Sequence, residues 1–550
     1  ENLTFGHQDS LPSLPLPDLS DTLRKYLRSV RPFLTEQELE HTEAVTKDFE
    51  AGAGKELHAM LAERAATERN WLEDWWETFA YLRPRYPIAI NVNWHGVLPG
   101  AWGRTVTQPE AAASLTYAVL EFRRALMEGT LPAETMAGQK LCMNQFTRMF
   151  SSCRIPHAGM DEIEVHEGAR HVLVLRNNSM FAVPVLDERG EILPAASIQS
   201  AYEHVVDETA SLFNLRSEEA VSVLTAEDRD TWAELREHMI SLDPANRENF
   251  HLIESAIFTL VLAQESPTDH EEVARLSLHG DGRNKYFCKP FNLIVFENGR
   301  MGLNGEHTWA DAIAVVSLFS DVLKRVSDPT GPARATRVRE HGPGAAAAVA
   351  APPTPAKLRW VLDTKTVQAI ERASTNLLKM IKTVDLRTLV FNHYGKTFIK
   401  RYNLIPDFFV QMAIQLAYFK LFRKPTAVYE SGHTRLFYHG RTETVRSCHE
   451  ESVAFCRAML DPATTAGDRF NALKAAVKRQ KELVKDALLG QGIDRHLMGM
   501  YILSEMEERR PRPAFFTDKA YVESGTFRLS TSNIGSTPVW GGFMTICEDG

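Results

Sequence analysis

Apolar residues recur at three- and four-residue spacing in the first part of the chain. The runs DLSDTLRKYLRSV and GKELHAMLAERAATERNWLEDWW have this spacing between Asp18 and Trp76, with charged residues between the apolar ones. Such a stripe covers one face of a helix, and that face packs against a core. The pattern therefore predicts a set of packing helices within residues 1–90.

Two later stretches have the pattern of strands. HVLVLRNNSMFAVPVL (171–186) predicts two strands around an Asn-Asn-Ser turn, and FNLIVFENGRMGLN (291–304) predicts two more around an Asn-Gly turn. After Asp311 the apolar residues take helical spacing. His307 is thus expected where the chain passes from a strand to a helix.

A segment of low complexity separates the chain into two parts. The run GPGAAAAVAAPPTP is rich in Ala, Pro and Gly, which is typical of a linker. We therefore predict an N-terminal part over residues 1–345, an Ala/Pro linker over 346–355 and a C-terminal α/β domain over 356–550.

The C-terminal part mixes both kinds of element. DFFVQMAIQLAYFKLF (407–422) has the pattern of a helix, and GTFRLSTS (525–532) has the pattern of a strand. Helices and strands in both parts of the chain predict a mixed α/β fold with two lobes.

Composition and charge narrow the class of partner. The apolar fraction of 44% and the charged fraction of 24% are those of a folded globular protein. With 62 basic and 71 acidic residues the formal charge is -9, so we expect no nucleic-acid partner. No apolar run reaches the ~18 residues that a membrane span needs. We predict no transmembrane segment, and peripheral contact with a membrane stays open.

Cysteine usage indicates a reducing interior compartment. The six cysteines have no CxxC spacing, which argues against a disulfide scaffold and against a zinc site, so no metal is predicted. The first residue is Glu1 rather than a methionine, so we expect a processed, tagged or partial chain.

The run NGEHTWAD (304–311) is the first candidate for chemistry. In α/β folds the end of a strand before a helix commonly presents functional groups, and His307 is placed there. Asp311 follows four residues later and lies on the same helical face. It could orient the imidazole or pair with a distant arginine, and His307 itself could be a purely structural histidine.

Three further clusters have both a functional and an ordinary interpretation. The run at 428–447 has histidines, aromatic residues and arginines suited to a small anionic or zwitterionic ligand, or is a solvated loop. Lys396 and Lys400 suit a phosphate, or lie on a solvated helix face. Hydroxyls in LSTSN (529–533) could stabilise an oxyanion, or simply end a strand.

Nine short motifs occur in the order of a known family. They are QDSLPSLPLPDL (8–19), MNQF (143–146), HGDG (279–282), EHTWAD (306–311), YGKTFIK (394–400), YES (429–431), GRTETVRS (440–447), GIDRHL (492–497) and LSTS (529–532). Together they resemble the choline/carnitine O-acyltransferase family. The resemblance implies two similar mixed-sheet α/β domains with the active-site tunnel between them.

The resemblance also implies roles for individual residues. His307 would be the general base, Asp311 would help to set the ring or the tunnel wall, and Ser532 would stabilise the oxyanion. The implied substrate contacts are Tyr429, Thr442, Arg495 and Phe543 for carnitine, Lys396, Lys400 and Asp407 for coenzyme A, and Gly541 and Gly542 for the acyl pocket.

The activity implied is reversible transfer of a medium- or long-chain acyl group between coenzyme A and carnitine. Acyl-CoA is then a co-substrate, with no covalent acyl-enzyme, no permanently bound cofactor and no metal. The run GRTET is similar to carnitine-using members, and WGGFM to medium- and long-chain enzymes. A monomer in a mitochondrion or peroxisome is expected.

Two alternatives stay open. One is a short-chain carnitine or choline acetyltransferase. The other is a non-catalytic acyl-CoA-binding regulatory protein, because family chains continue for a further stretch beyond the position of Gly550.

Overall fold

The computed structural model describes residues 2–100, 106–210, 219–328, 330–334, 353–506, 511–533 and 542–546, with the backbone alone for 532–533 and 542–546. Its helices are α1 Leu19–Val30, α2 Glu36–Ala51, α3 Ala53–Thr67, α4 Glu73–Glu77, α5 Gln108–Met127, α6 Ala195–Ala210, α7 Arg229–Leu242, α8 Pro244–Ser255, α9 His270–Leu278, α10 Ala312–Ser327, α11 Thr364–Ile381, α12 Lys396–Arg401, α13 Pro406–Phe422, α14 Glu450–Leu460, α15 Ala466–Leu488, α16 Asp494–Met506 and α17 Lys519–Gly525.

Its strands are β1 Trp94–Leu98, β2 Thr135–Met136, β3 Gln139–Lys140, β4 Ser152–Ile155, β5 Glu162–Val165, β6 His171–Arg176, β7 Ser179–Pro184, β8 Thr259–Leu262, β9 Phe291–Val295, β10 Met301–Gly305, β11 Ala356–Lys357, β12 Val428–His433, β13 Thr442–Arg446, β14 Leu529–Asn533 and β15 Gly542–Ile546. The mixture of helices and strands confirms the predicted α/β class.

Seven strands form the first sheet, in the order β1-β10-β9-β8-β6-β7-β11. The pairs β6/β8 and β8/β9 are parallel, and the other pairs are antiparallel. Helices α5, α6 and α10 pack on one face, and α7, α8 and α11 on the other. Because both faces of this mixed sheet are covered, its central strands are almost wholly apolar, as strands buried on both faces are.

Both predicted hairpins are confirmed in this sheet. Strands β6 and β7 pair around Asn177 and Asn178, which both have positive φ, as a two-residue hairpin turn of matching twist requires. Strands β9 and β10 pair around the Asn-Gly turn, with φ +79° at Gly299. The second hairpin delivers the chain to His307, and α10 follows as predicted.

Four strands form the second sheet, in the order β13-β12-β14-β15. Only β12 and β14 run parallel; their neighbours in this sheet are antiparallel. Strands β12 and β13 are the run at 428–447 for which a solvated loop was one interpretation. That interpretation is wrong, because every residue of β13 is buried.

The N-terminal helices pack against the end of the chain. Side chains of α1, α2 and α3 share one apolar core with α16 and with the 3-10 turn Ala514–Thr517. Phe49 and Phe515 stack there with ring centroids 4.5 Å apart. The predicted packing helices are therefore confirmed, and they cover the C-terminal part rather than the first sheet.

Residues just after the predicted linker pack with the first sheet. Strand β11 pairs with β7, and Ala369, Ile370 and Leu377 of α11 lie in the core beneath that sheet. Most of the linker, 346–352, lies outside the described residues. The chain therefore still packs against the first sheet after the predicted linker, so the linker does not separate the residues of the two sheets. The predicted domain bounds stay predictions.

The other expectations have mixed outcomes. Helix α13 confirms the prediction for 407–422. The strand predicted at 525–532 begins only at Leu529, and α17 extends to Gly525.

Within the part of the chain that is described, no helix is both long and apolar enough to cross a bilayer. Five cysteines are described, and all are buried free thiols.

Candidate active site

His307 lies in the short turn between the end of β10 and the start of α10. Its ring is half-buried, and Nδ1 lies 3.1 Å from the carbonyl oxygen of Ala310. A carbonyl can only accept, so Nδ1 carries the proton and donates it. The lone pair of the imidazole is therefore on Nε2, where the ring can act as a base.

Asp311 pairs with an arginine and not with the imidazole. Its Oδ2 lies 3.0 Å from Arg441 Nε and 3.0 Å from Gln145 Nε2, both of which donate. The ring proton of His307 instead goes to a backbone carbonyl. Of the two partners that the sequence left open for Asp311, the structure has the distant arginine.

Arg441 also holds the turn that carries His307. It donates to the carbonyl oxygens of His307 at 3.1 Å and Thr308 at 2.6 Å. Burial opposes ionisation of Asp311, but the charge of Arg441, that of His307 when its ring is protonated, and the bonds from Arg441 and Gln145 outweigh burial, so the pKa of Asp311 is lowered. Asp311 and Arg441 together therefore fix the backbone beside the imidazole.

Tyr81 contacts the imidazole, and sequence reasoning did not single it out. It lies in the π-helical turn Thr78–Leu82 after α4; its ring centroid is 5.4 Å from that of His307, and its hydroxyl is 3.5 Å from Nδ1. Burial raises the pKa of Tyr81. No local pattern marks this tyrosine, because 226 residues separate it from His307.

A second group of side chains surrounds Arg495 on α16. Its guanidinium lies 3.8 Å from the ring centroid of Trp76 and donates to the carbonyl of Thr442 at 3.0 Å and to Thr444 Oγ1 at 3.2 Å. The Thr442 hydroxyl is 3.4 Å from Nη2. Two of the residues expected to bind carnitine, Thr442 and Arg495, are thus in direct contact.

Trp76 and Tyr81 connect the two groups. Their rings meet edge to face with centroids 5.7 Å apart, so one aromatic residue touches His307 and the other Arg495. The structure therefore brings His307, Thr442 and Arg495 around one pair of aromatic rings. Tyr429 lies on β12, and its ring centroid is 5.5 Å from that of Phe527.

The residues expected at the oxyanion and the acyl pocket are described only in part. Ser532 on β14 is paired with Phe543 on β15, and Gly542 begins β15. Their side chains and Gly541 lie outside the described residues.

Lys396, Lys400 and Asp407 belong to α12 and α13. The two lysines are exposed on α12, one helical turn apart, and Asp407 is in the first turn of α13, which packs against α12. The described part of the chain has no cluster of three or more His, Cys, Asp or Glu side chains placed to hold a metal ion.

Comparison with known proteins gives one consistent result. The model of the choline/carnitine O-acyltransferase family matches residues 14–550. Peroxisomal carnitine O-octanoyltransferase from Mus musculus is 35% identical over 570 residues, covering 100% of this chain and 90% of that protein. Carnitine O-acetyltransferase from Homo sapiens is 34% identical over 546 residues, covering 96% of this chain and 84% of that protein.

Proposed function

The chain belongs to the choline/carnitine O-acyltransferase family, and we propose that it transfers a medium-chain or long-chain acyl group between coenzyme A and the hydroxyl of carnitine. The observation that carries the mechanism is the bond from His307 Nδ1 to the Ala310 carbonyl, because it leaves Nε2 as the basic nitrogen. Carnitine and acyl-CoA are both substrates, and transfer runs in either direction.

In this mechanism His307 is the general base. Nε2 takes the proton of the carnitine hydroxyl while the oxygen attacks the thioester carbonyl, and the imidazolium then protonates the departing thiolate. The C–S bond breaks as the new C–O bond forms, so no acyl-enzyme is needed. Ser532 is proposed to donate to the developing oxyanion, and Asp311 is proposed to act through Arg441 and the turn and through its charge beside His307.

Arg495 is proposed to bind the carnitine carboxylate with Thr442 and Tyr429. Three of the five guanidinium N–H groups already have acceptors among the described residues, which leaves two for a ligand. Phe543 would contact the trimethylammonium group. Lys396, Lys400 and Asp407 would bind coenzyme A, and the exposure of the two lysines on α12 suits a large polar ligand.

For chain length, we propose medium or long chains through an acyl pocket at Gly541 and Gly542. The relatives named octanoyltransferase support this choice. The acetyltransferases are almost as similar, at 33 to 34% identity, so acetyl transfer to carnitine is the second candidate. The octanoyltransferase relatives are named peroxisomal, and we propose an organellar location for this chain.

The test is thiol release from acetyl-, octanoyl- and palmitoyl-CoA with carnitine, with choline and with no acceptor. We expect release that needs carnitine and is fastest with octanoyl- or palmitoyl-CoA. His307→Ala should lower kcat by about two to four orders of magnitude. His204→Ala is the matched control, since that imidazole is 57% exposed and far from the turn in sequence. Binding of acyl-CoA without thiol release would favour a regulatory protein instead.

A further inference from the structure

A buried arginine from the first part of the chain contacts both residues that flank His307. Arg154 on β4 has a side chain that is 1% exposed, and its Nη1 donates to Glu306 Oε1 at 3.0 Å and to Thr308 Oγ1 at 3.0 Å. Glu306 and Thr308 are the chain neighbours of His307 and are equally buried. One guanidinium nitrogen therefore ties together the two sides of the turn.

Glu306 and Thr308 are also bonded to each other. The Thr308 hydroxyl donates to Glu306 Oε1 at 2.6 Å, and the Thr308 backbone N–H donates to Glu306 Oε2 at 2.9 Å. With Arg154 included, every one of these groups has a partner, as a buried polar network requires. The backbone on both sides of His307 is therefore fixed by described side-chain hydrogen bonds, none of which is made to the imidazole.

The same arginine reaches the aromatic wall of the site. Its Nη2 donates to the backbone carbonyl of Tyr81 at 2.5 Å, and the Tyr81 ring packs against the His307 ring. Arg154 thus connects the base, through the turn, to the tyrosine that lies against it. A single guanidinium therefore bonds both to the turn and to the backbone of that tyrosine.

Asp161 anchors Arg154 from the opposite side. Its Oδ2 accepts from Arg154 Nε at 2.7 Å and from Arg229 Nε at 2.6 Å. Its Oδ1 accepts from Arg85 Nη1 at 2.9 Å, so three arginines share this buried carboxylate, and Arg154 alone of them also pairs with the buried Glu306 among the described contacts. Arg229 shares the carboxylate of Asp161 but has no bond to the His307 turn among its described contacts, which makes it a matched control.

We propose that Arg154 is a positioning residue for His307, acting through Glu306, Thr308 and the Tyr81 carbonyl. The inference rests on the proposed function in that His307 is taken as the base. A lysine at this position keeps the charge but cannot bond to Asp161, Glu306 and Tyr81 at once, because it lacks the planar fork of the guanidinium.

The first arm of the test is kinetic and compares Arg154→Lys with Arg229→Lys. We expect Arg154→Lys to lower kcat about 10- to 100-fold, with KM for carnitine and for acyl-CoA changed less than about threefold. Arg229→Lys should keep kcat within about threefold. Equal losses in both variants, or a rise in KM in place of a fall in kcat, would overturn the proposal.

Thr308→Val extends the test to a variant of nearly unchanged volume, in case Arg154→Lys does not fold. We expect it to lower kcat about 3- to 10-fold. If Arg154 acts through Thr308, the double variant Arg154→Lys/Thr308→Val should lose little more than Arg154→Lys alone. With Arg229→Lys the two losses should multiply. A Thr308→Val protein with unchanged kcat would contradict the role of this network.

The second arm needs no acyl transfer. Amide hydrogen exchange across residues 304–311 should become at least tenfold faster in Arg154→Lys and stay unchanged in Arg229→Lys. If the unmodified chain releases no thiol but exchange follows this pattern, the proposed function is wrong, and the result still supports stabilisation of the turn by Arg154. If thiol is released and exchange is the same in both variants, the proposed function stands and this inference fails.

Discussion

The Nε of Arg441 lies 3.0 Å from Oδ2 of Asp311, although 130 residues separate them in the sequence. Arg441 directly precedes β13 of the second sheet. Asp311 directly precedes α10, the helix that packs on the first sheet. This ion pair therefore joins the two sheets at the turn that carries His307.

Breaking this pair should destabilise the protein more than breaking a surface pair on the same helix. Asp311→Asn leaves the Arg441 charge buried without its counterion, so we expect a loss of about 3–5 kcal/mol in the free energy of unfolding. Asp321→Asn is the control: it breaks the Asp321–Arg325 pair, which is about one-third exposed, and should cost less than about 1 kcal/mol.

Urea denaturation at pH 7 measures both losses. The pKa of Asp311 is lowered in the folded protein, so its contribution is present above the unfolded value of 3.8 and lost as pH falls through the folded value. The two variants should therefore differ less in acid. Equal losses at pH 7 would contradict the importance of burial here.

Glu430 should make stability depend on pH in the opposite direction. Burial raises its pKa from 4.5 to about 7, even though Ser447 Oγ donates to its Oε2 at 2.5 Å. Between these values the folded state holds a proton that the unfolded state has released, so raising the pH favours unfolding. The contribution falls by about 3 kcal/mol between pH 4.5 and 7 and is constant above.

The comparison is between the unmodified protein and Glu430→Gln, by denaturant unfolding at pH 5, 6, 7 and 8. We expect the variant to gain about 2–3 kcal/mol relative to the unmodified protein over this range. Glu443, whose pKa burial also raises to about 7, is present in both proteins and cancels in the difference. A constant difference at every pH would show that Glu430 is charged throughout.

Arg495→Lys should weaken binding of carnitine rather than of acyl-CoA. The guanidinium lies 3.8 Å from the Trp76 ring centroid and is bonded to Thr442, and lysine lacks the planar fork that stacks on the ring and donates in several directions at once. We expect KM for carnitine to rise about 10- to 100-fold, with KM for acyl-CoA within about twofold. Initial rates with each substrate varied in turn measure the split.

Arg512→Lys is the matched control for that variant. This arginine also lies over an aromatic ring, 5.4 Å from the centroid of Tyr501, but its side chain is 45% exposed. It should leave both KM values unchanged. A rise in KM for acyl-CoA in Arg495→Lys would place this arginine at a different substrate.

Lys396 and Lys400 should affect the other substrate. Both are exposed on α12, so a charged ligand can reach them without opening the fold. For Lys396→Gln/Lys400→Gln we expect KM for acyl-CoA to rise about tenfold at low salt and less above 0.5 M salt, because screening weakens exposed charges. KM for carnitine should stay the same. Lys478→Gln, an exposed lysine on α15, is the control.

The sequence by itself determined the local elements around the site. The Asn-Asn and Asn-Gly turns and the apolar stripe after Asp311 predicted the two hairpins and α10, because each depends on neighbours a few residues apart. It also put His307 at a strand-to-helix junction, and the ordered motifs identified the family that the comparison then matched.

Only the tertiary structure decided which side chains meet there. The ring of Tyr81, the charge of Arg441 and the bonds of Arg154 reach the His307 turn across 226, 134 and 152–154 residues. Spacing along the chain does not predict such contacts. From the sequence, Asp311 could therefore pair with His307 or with a distant arginine, and the structure shows the arginine. The solvated loop that was one interpretation of 428–447 is excluded for the same reason: the burial of β13 depends on the second sheet, and no run of residues fixes that by itself.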